Sequence, residues 1–186
     1  AAIGYELYLK LTEQAIAELK GEEWHEETNP EINVDISAYL PEEYVSDIDI
    51  RLNLYRRLSN LNEESGLNVM AEEMSDRFGA FPEEVSNLLK VMEVRLMMKK
   101  NGIDRLDINR DSLVFTFSQG TKVRSEKLVK LVEDRRPRFH FLSDWKMKVS
   151  IREESPVKAL QEAVDIIKEF AVIVMLICPL FFSPHP

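Results

Sequence analysis

The sequence predicts an α+β fold, with helices packed against a small, mostly antiparallel sheet. Apolar residues recur at spacings of three and four between residues 48 and 101, the period of helices that bury one face. Between residues 105 and 151 the period drops to two, in two pairs of runs each broken by turn residues, the pattern of two β-hairpins. At 186 residues, with 45% hydrophobic and 31% charged, the chain can bury about 70% of its unfolded surface and needs neither disulfide nor metal to fold.

The elements follow in order. Tyr8, Leu11, Ala15 and Leu19 mark one face of an amphipathic helix, with Lys20 in its last turn and Gly21 as its stop. An acidic linker, Glu22 to Pro30, holds Trp24 and His25. Ile32, Val34 and Ile36 alternate with Asn33 and Asp35 as a half-buried strand. Beyond Pro41, a first helix carries Ile48, Leu52, Tyr55 and Leu58 as its buried stripe, with Ser46 as cap. A second carries Leu67, Met70, Met74 and Phe78 and stops at Gly79. A third opens at Pro82 and carries Val85, Leu88, Leu89, Met92 and Leu96 to a stop at Asn101-Gly102. Leu106 and Ile108 pair across Asn109-Arg110-Asp111 with Leu113, Phe115 and Phe117. A short helix is expected from about Ser125 to Asp134. A second hairpin runs from Phe139 and Phe141 through Ser143-Asp144 to Trp145, Met147, Val149 and Ile151. The last helix starts at Ser155-Pro156 and buries Val157, Leu160, Val164 and Ile167. From Phe170 to Phe182 the chain is apolar except for Cys178 and Pro179. Thirteen residues span roughly 20 Å as a helix, short of the ~30 Å hydrocarbon core, so no membrane span is expected. This tail reads as a buried terminal element, an oligomer contact, or sequence foreign to the natural protein.

The net charge of −9 hides a polarised chain. Residues 1–50 hold 13 acids and two bases, a net of −11, whereas residues 95–148 hold 14 bases and seven acids, a net of +7. Overall acidity argues against a nucleic-acid coat protein, yet the basic stretch offers candidate phosphate contacts at Lys99, Lys100, Lys122, Arg124, Lys127 and Lys130. Phosphate affinity needs those side chains clustered in space, and no aromatic stacking platform accompanies them. With Cys178 the only cysteine, no internal disulfide or zinc ribbon can form, which fits a reducing cytoplasm. The six glycines build no phosphate-binding loop, no dinucleotide fingerprint and no nucleophile elbow. Asp47 and Asp49 at a helix start suit the helix dipole better than a metal, because i and i+2 side chains diverge. No catalytic residue, metal site or cofactor is expected.

One motif carries charge on a rigid element: Glu72-Glu73-Met74-Ser75-Asp76-Arg77-Phe78-Gly79. Met74 and Phe78 belong to the buried stripe. Glu73, Asp76 and Arg77 share the exposed side, and Glu73 with Arg77 forms an i,i+4 pair of the favourable polarity. The group is either a modest surface ion pair or a charged docking patch.

At this motif the chain resembles the carboxy-terminal domain of the bacterial transcription-repair coupling factor (Mfd). Further ordered blocks carry the resemblance: Gly4-Tyr-Glu-Leu-Tyr8 with Leu19-Lys-Gly21, Glu31-Ile-Asn-Val34, Leu40-Pro-Glu-Glu-Tyr-Val45, Asp49-Ile-Arg-Leu-Asn-Leu-Tyr-Arg-Arg57, Asp76-Arg-Phe-Gly79 followed by Pro82, and Lys99-Lys-Asn-Gly-Ile103. It covers residues 3 to about 151 and departs after about 168. The family is an ATP-driven DNA translocase that pushes stalled RNA polymerase off damaged DNA and recruits UvrA. The resemblance implies that residues 1–30 are the helix and acidic linker from the end of the motor region, that 31–169 form the terminal regulatory domain, and that 170–186 are an atypical tail. It further implies a non-catalytic, autoinhibitory module without motor motifs. Such a module docks on the amino-terminal repair-like module of the same protein through Glu73, Asp76 and Arg77, masking the UvrA-binding surface. The alternative is an accessory domain making weak DNA contact through the basic 95–148 face.

Overall fold

The computed structural model describes residues 30–118, 138–143, 145–152 and 155–175. The expected amino-terminal helix, most of its acidic linker, the short helix at 125–134, Cys178 and the end of the tail lie outside these residues. The elements run β1 (Glu31–Asn33), α1 (Ile48–Ser59), α2 (Glu64–Phe78), α3 (Glu83–Lys100), β2 (Ile103–Ile108), β3 (Ser112–Phe117), β4 (Phe139–Ser143), β5 (Lys146–Ser150) and α4 (Pro156–Met175). The five strands form one sheet in the order β1-β2-β3-β5-β4, with β1 parallel to β2 and the other pairs antiparallel. The expected α+β class, helices on a mostly antiparallel sheet, is the one observed.

One sheet face is a dry core. Leu106 faces Phe115, Phe115 faces Met147, and Leu113 and Phe139 both face Val149; all six are fully buried. Ile103 is fully buried too, although it lies three residues from Leu106. A register shift between Ile103 and Arg105 inserts the extra residue that turns both inward. The other face is polar: Arg105 opposes Thr116, and Lys148 opposes His140. The short parallel strand β1 is held by side chains as well as by its ladder. Arg105 reaches Glu31 at 2.9 Å and Asp107 at 2.8 Å, and Asn33 donates to Asp107 at 2.6 Å. The Arg105 hydrogen bond, aided by that of Asn33, holds the Asp107 carboxyl below its usual range.

α3 belongs to two cores. Val85, Leu88, Met92 and Leu96 pack with α1 and α2, together with Leu40, Val45, Leu54, Leu58, Leu67, Met70 and Met74. Val94, Met97 and Met98 face the sheet and the buried row of α4: Ala159, Leu160, Ala163, Val164, Ile166, Ile167 and Phe170. The sequence stripe on α3 captured the first face and missed the second, because a helix buried on two sides leaves only a narrow polar strip, Glu83, Ser86, Lys90 and Glu93, and a single stripe no longer describes its apolar surface.

The buried side of α1 differs from the one expected. Ile48 and Leu52 are 61% and 56% exposed, and Tyr55 is exposed as well. Leu54 and Leu58 are the buried residues, with Ile50 packed beside them. Two apolar rows share this helix, and the row Ile50-Leu54-Leu58 wins because it meets Leu67, Met70 and Met74 of α2 in one core. The cap also moves by one residue. Asp47, not Ser46, accepts from the backbone N–H of Asp49 at 2.8 Å and of Ile50 at 3.1 Å. Val157, expected in the buried stripe of the last helix, is exposed at its first turn, and Phe141 is exposed at the sheet edge.

Candidate functional site

The charged motif occupies the last two turns of α2. Gly79 stops the helix with φ +88°, and its N–H reaches the Ser75 carbonyl at 2.9 Å. Tyr44, from the segment before α1, braces this end: its hydroxyl lies 3.1 Å from the Met74 carbonyl and 3.3 Å from that of Gly79. Its ring meets Phe78 and Phe81 edge to face, with centroids 5.7 and 6.3 Å away. Partial burial pushes the Tyr44 phenol up. The Arg77 guanidinium lies 4.9 Å over the Phe78 ring. Packing therefore places the helix end, and stacking aims Arg77.

Glu73 and Arg77 meet as their i,i+4 spacing predicts, at 2.7 Å. A third participant was not legible in the motif. Arg57, in the last turn of α1, grips Glu73 with a two-pronged fork, Nη1 to Oε1 at 2.9 Å and Nη2 to Oε2 at 2.5 Å. The Arg57 hydrogen bond, then that of Arg77, holds the Glu73 carboxyl down at about 2, and Glu73 in turn raises Arg57. Asp76 is exposed on the same helix. The only sequence signal for Arg57 was the basic pair Arg56-Arg57 near the end of α1, an arrangement the helix dipole favours by itself.

The candidate phosphate contacts are only partly described. Lys99 donates to Asn62 Oδ1 at 2.8 Å and Lys100 is exposed; Lys122, Arg124, Lys127 and Lys130 lie outside the described residues. Lys99 and Lys100 line a cleft of about 540 Å³ with Asn62, Glu63, Glu64, Ser65 and Leu96. Two carboxylates balance the two amines there, a poor basis for an anion site. A second cleft of about 910 Å³ opens between β5 and α4, lined by Arg138, Arg152, Lys158, Glu162 and Asp165 among others. There Arg138 is already paired with Glu162. Asp47 and Asp49 form no carboxylate pair, since Asp47 is spent as a cap. No group of three or more metal-ligating side chains occurs among the described residues, and no helix among them is long and apolar enough to cross a membrane.

Comparison with known proteins places the chain in a family. The family model "TRCF domain" matches residues 34–128, which contain Arg57 and the whole charged motif. The chain belongs to the transcription-repair coupling factor family. It is 38% identical to the transcription-repair-coupling factor of Rickettsia typhi over 132 residues, 70% of this chain and 12% of that protein. It is 27% identical to that of Haemophilus influenzae over 175 residues, 91% of this chain and 15% of that protein. The chain thus spans about an eighth of the length of the curated family members it matches. A crystal structure of the C-terminal domain of transcription-repair coupling factor has the same fold, with a TM-score of 0.59 over 76% of this chain and 94% of that one, at 20% identity.

Proposed function

We propose that this chain is a non-catalytic regulatory module of a transcription-repair coupling factor and acts by docking to another module of the same protein. The observation that carries this reading is the Arg57–Glu73–Arg77 cluster, fixed on two packed helices within the family-matched region. Three charged side chains held in one geometry offer a partner a preordered surface, and preorder lowers the entropy cost of association. Residues 31–169 act as this module and residues 1–30 as the helix and linker from the motor region. The partner is the amino-terminal repair-like module. Docking there masks the UvrA-binding surface until the motor, an ATP-driven translocase in the bacterial cytoplasm, engages stalled RNA polymerase.

The test is binding of the 186-residue chain to the amino-terminal repair-like module by calorimetry. Alanine at Glu73, Asp76 and Arg77 together abolishes binding and leaves the circular dichroism spectrum intact. Salt weakens the wild-type complex, because mobile ions screen solvent-exposed charges and lower the worth of surface ion pairs. Unchanged affinity in the triple variant overturns the reading.

A further inference from the structure

We infer that Arg57 is a positioning residue of the docking surface, holding the Glu73 carboxylate in the orientation that a partner meets. The inference rests on the docking reading above and adds to it a residue from a different helix.

The geometry sets the roles. Oε1 of Glu73 accepts from both Arg57 and Arg77, and Oε2 accepts from Arg57. Arg77 alone supplies one contact from four residues away on the same helix. A single exposed i,i+4 pair is weak and leaves a Glu side chain free to change rotamer. The fork from Arg57 removes that freedom, because a planar guanidinium matched to both oxygens fixes the carboxylate plane as well as its position. Arg57 is itself anchored through its backbone, which lies between the buried residues Leu54 and Leu58. The orientation of Glu73 therefore reports the packing of α1 on α2. Glu73 keeps about a third of its side-chain surface open to solvent, 32%. The remaining lone pair, on Oε2, stays available to a cation or amide of the partner.

A lysine in place of Arg57 would keep the charge and lose the fork. That difference separates positioning from simple charge balance. The experiment uses Arg57→Gln, Arg57→Lys and Glu73→Gln in the 186-residue chain. The Glu73 carboxyl titration is followed by carbon-detected NMR, and affinity for the amino-terminal repair-like module is measured in parallel. Arg57→Gln is expected to move the Glu73 midpoint up from about 2 towards the ordinary carboxylate range and to weaken binding about fivefold. Arg57→Lys is expected to recover part of both. Two results overturn the inference while the docking reading stands: Glu73→Gln weakens binding but Arg57→Gln does not, or Arg57→Gln weakens binding without moving the Glu73 titration. The second would make Arg57 a direct contact. If neither Glu73→Gln nor the triple alanine variant weakens binding, the docking reading itself fails.

Discussion

The two cores on either side of α3 are built from different materials and serve different ends. The sheet side is filled by Phe115, Phe117, Phe139, Leu106 and the branched residues of α4, locked by cross-strand pairs. Its solvent face carries Arg105, Thr116, Lys146 and Lys148, with Arg105 tying Glu31 of β1 to Asp107 of its own strand. The helical side is filled by Leu, Met and Val side chains, with no aromatic ring among its described buried residues, and its edge carries the Arg57–Glu73–Arg77 cluster. The difference teaches that scaffold and presentation are separated: the sheet fixes α3, and α3 fixes the pair of helices that display charge.

This division predicts that the largest effects come from the shared spine and the sheet core. Phe115→Ala should cost about 3–5 kcal/mol, since the fully buried ring also meets Phe170 edge to face at 5.6 Å. Met74→Ala, fully buried on the helical side, should cost about 2–5 kcal/mol. Because α3 serves both cores, either change should lower one unfolding midpoint common to both halves in urea titrations. Amide exchange showing the α1–α2 pair opening well below the global free energy would break the picture of a single spine.

The next effect sits where the helical half turns. Gly79 has φ +88°, and a Cβ added there would meet nothing within 4 Å. Gly79→Ala should therefore cost only backbone strain, about 1–3 kcal/mol. The loss should appear in thermal unfolding without a cavity or clash in the variant structure. A neutral substitution would mean that the turn relaxes, and Tyr44 would no longer brace the motif.

A smaller effect comes from acid. Glu73 has a folded-state value lowered to about 2, so its contribution is complete above the unfolded carboxyl value near about 4.3 and fades as pH falls towards about 2. Solvent exposure of all three partners limits that contribution to about 1 kcal/mol. Glu73→Gln should flatten this part of the stability profile between about pH 4.5 and 2. An unaltered profile would show that the sheet-side Asp107, also lowered, carries the acid response instead.

How far these features were legible in the sequence follows the same division. Period two over Leu113-Phe115-Phe117 and Met147-Val149 names the buried face of the sheet directly, since alternate residues must diverge. The Leu67-Met70-Met74 stripe and the Gly79 stop were readable for the same local reason. Parallel pairing of β1 with β2 was not, because it joins residues 74 apart through Arg105 and Glu31. Within the candidate site, Glu73 and Arg77 were readable as neighbours on one helix. Arg57 was not, since its role depends on how α1 docks on α2.

The smallest expected effect tests that last point. Ile48 and Leu52 look like core by spacing and are exposed in the structure, whereas Leu54 and Leu58 are buried. Ile48→Ser and Leu52→Ser should change stability by no more than about 0.5 kcal/mol, as surface substitutions do. Leu54→Ala or Leu58→Ala should cost about 2–5 kcal/mol. Arg57 follows from the same rotation: at 100° per residue, the orientation that buries 54 and 58 turns 57 towards α2 and leaves 48 and 52 on the far flank. If Ile48→Ser or Leu52→Ser proved as costly as Leu54→Ala, α1 would be rotated about its axis. Arg57 would then point away from Glu73, and the charged cluster would lose its inter-helix member.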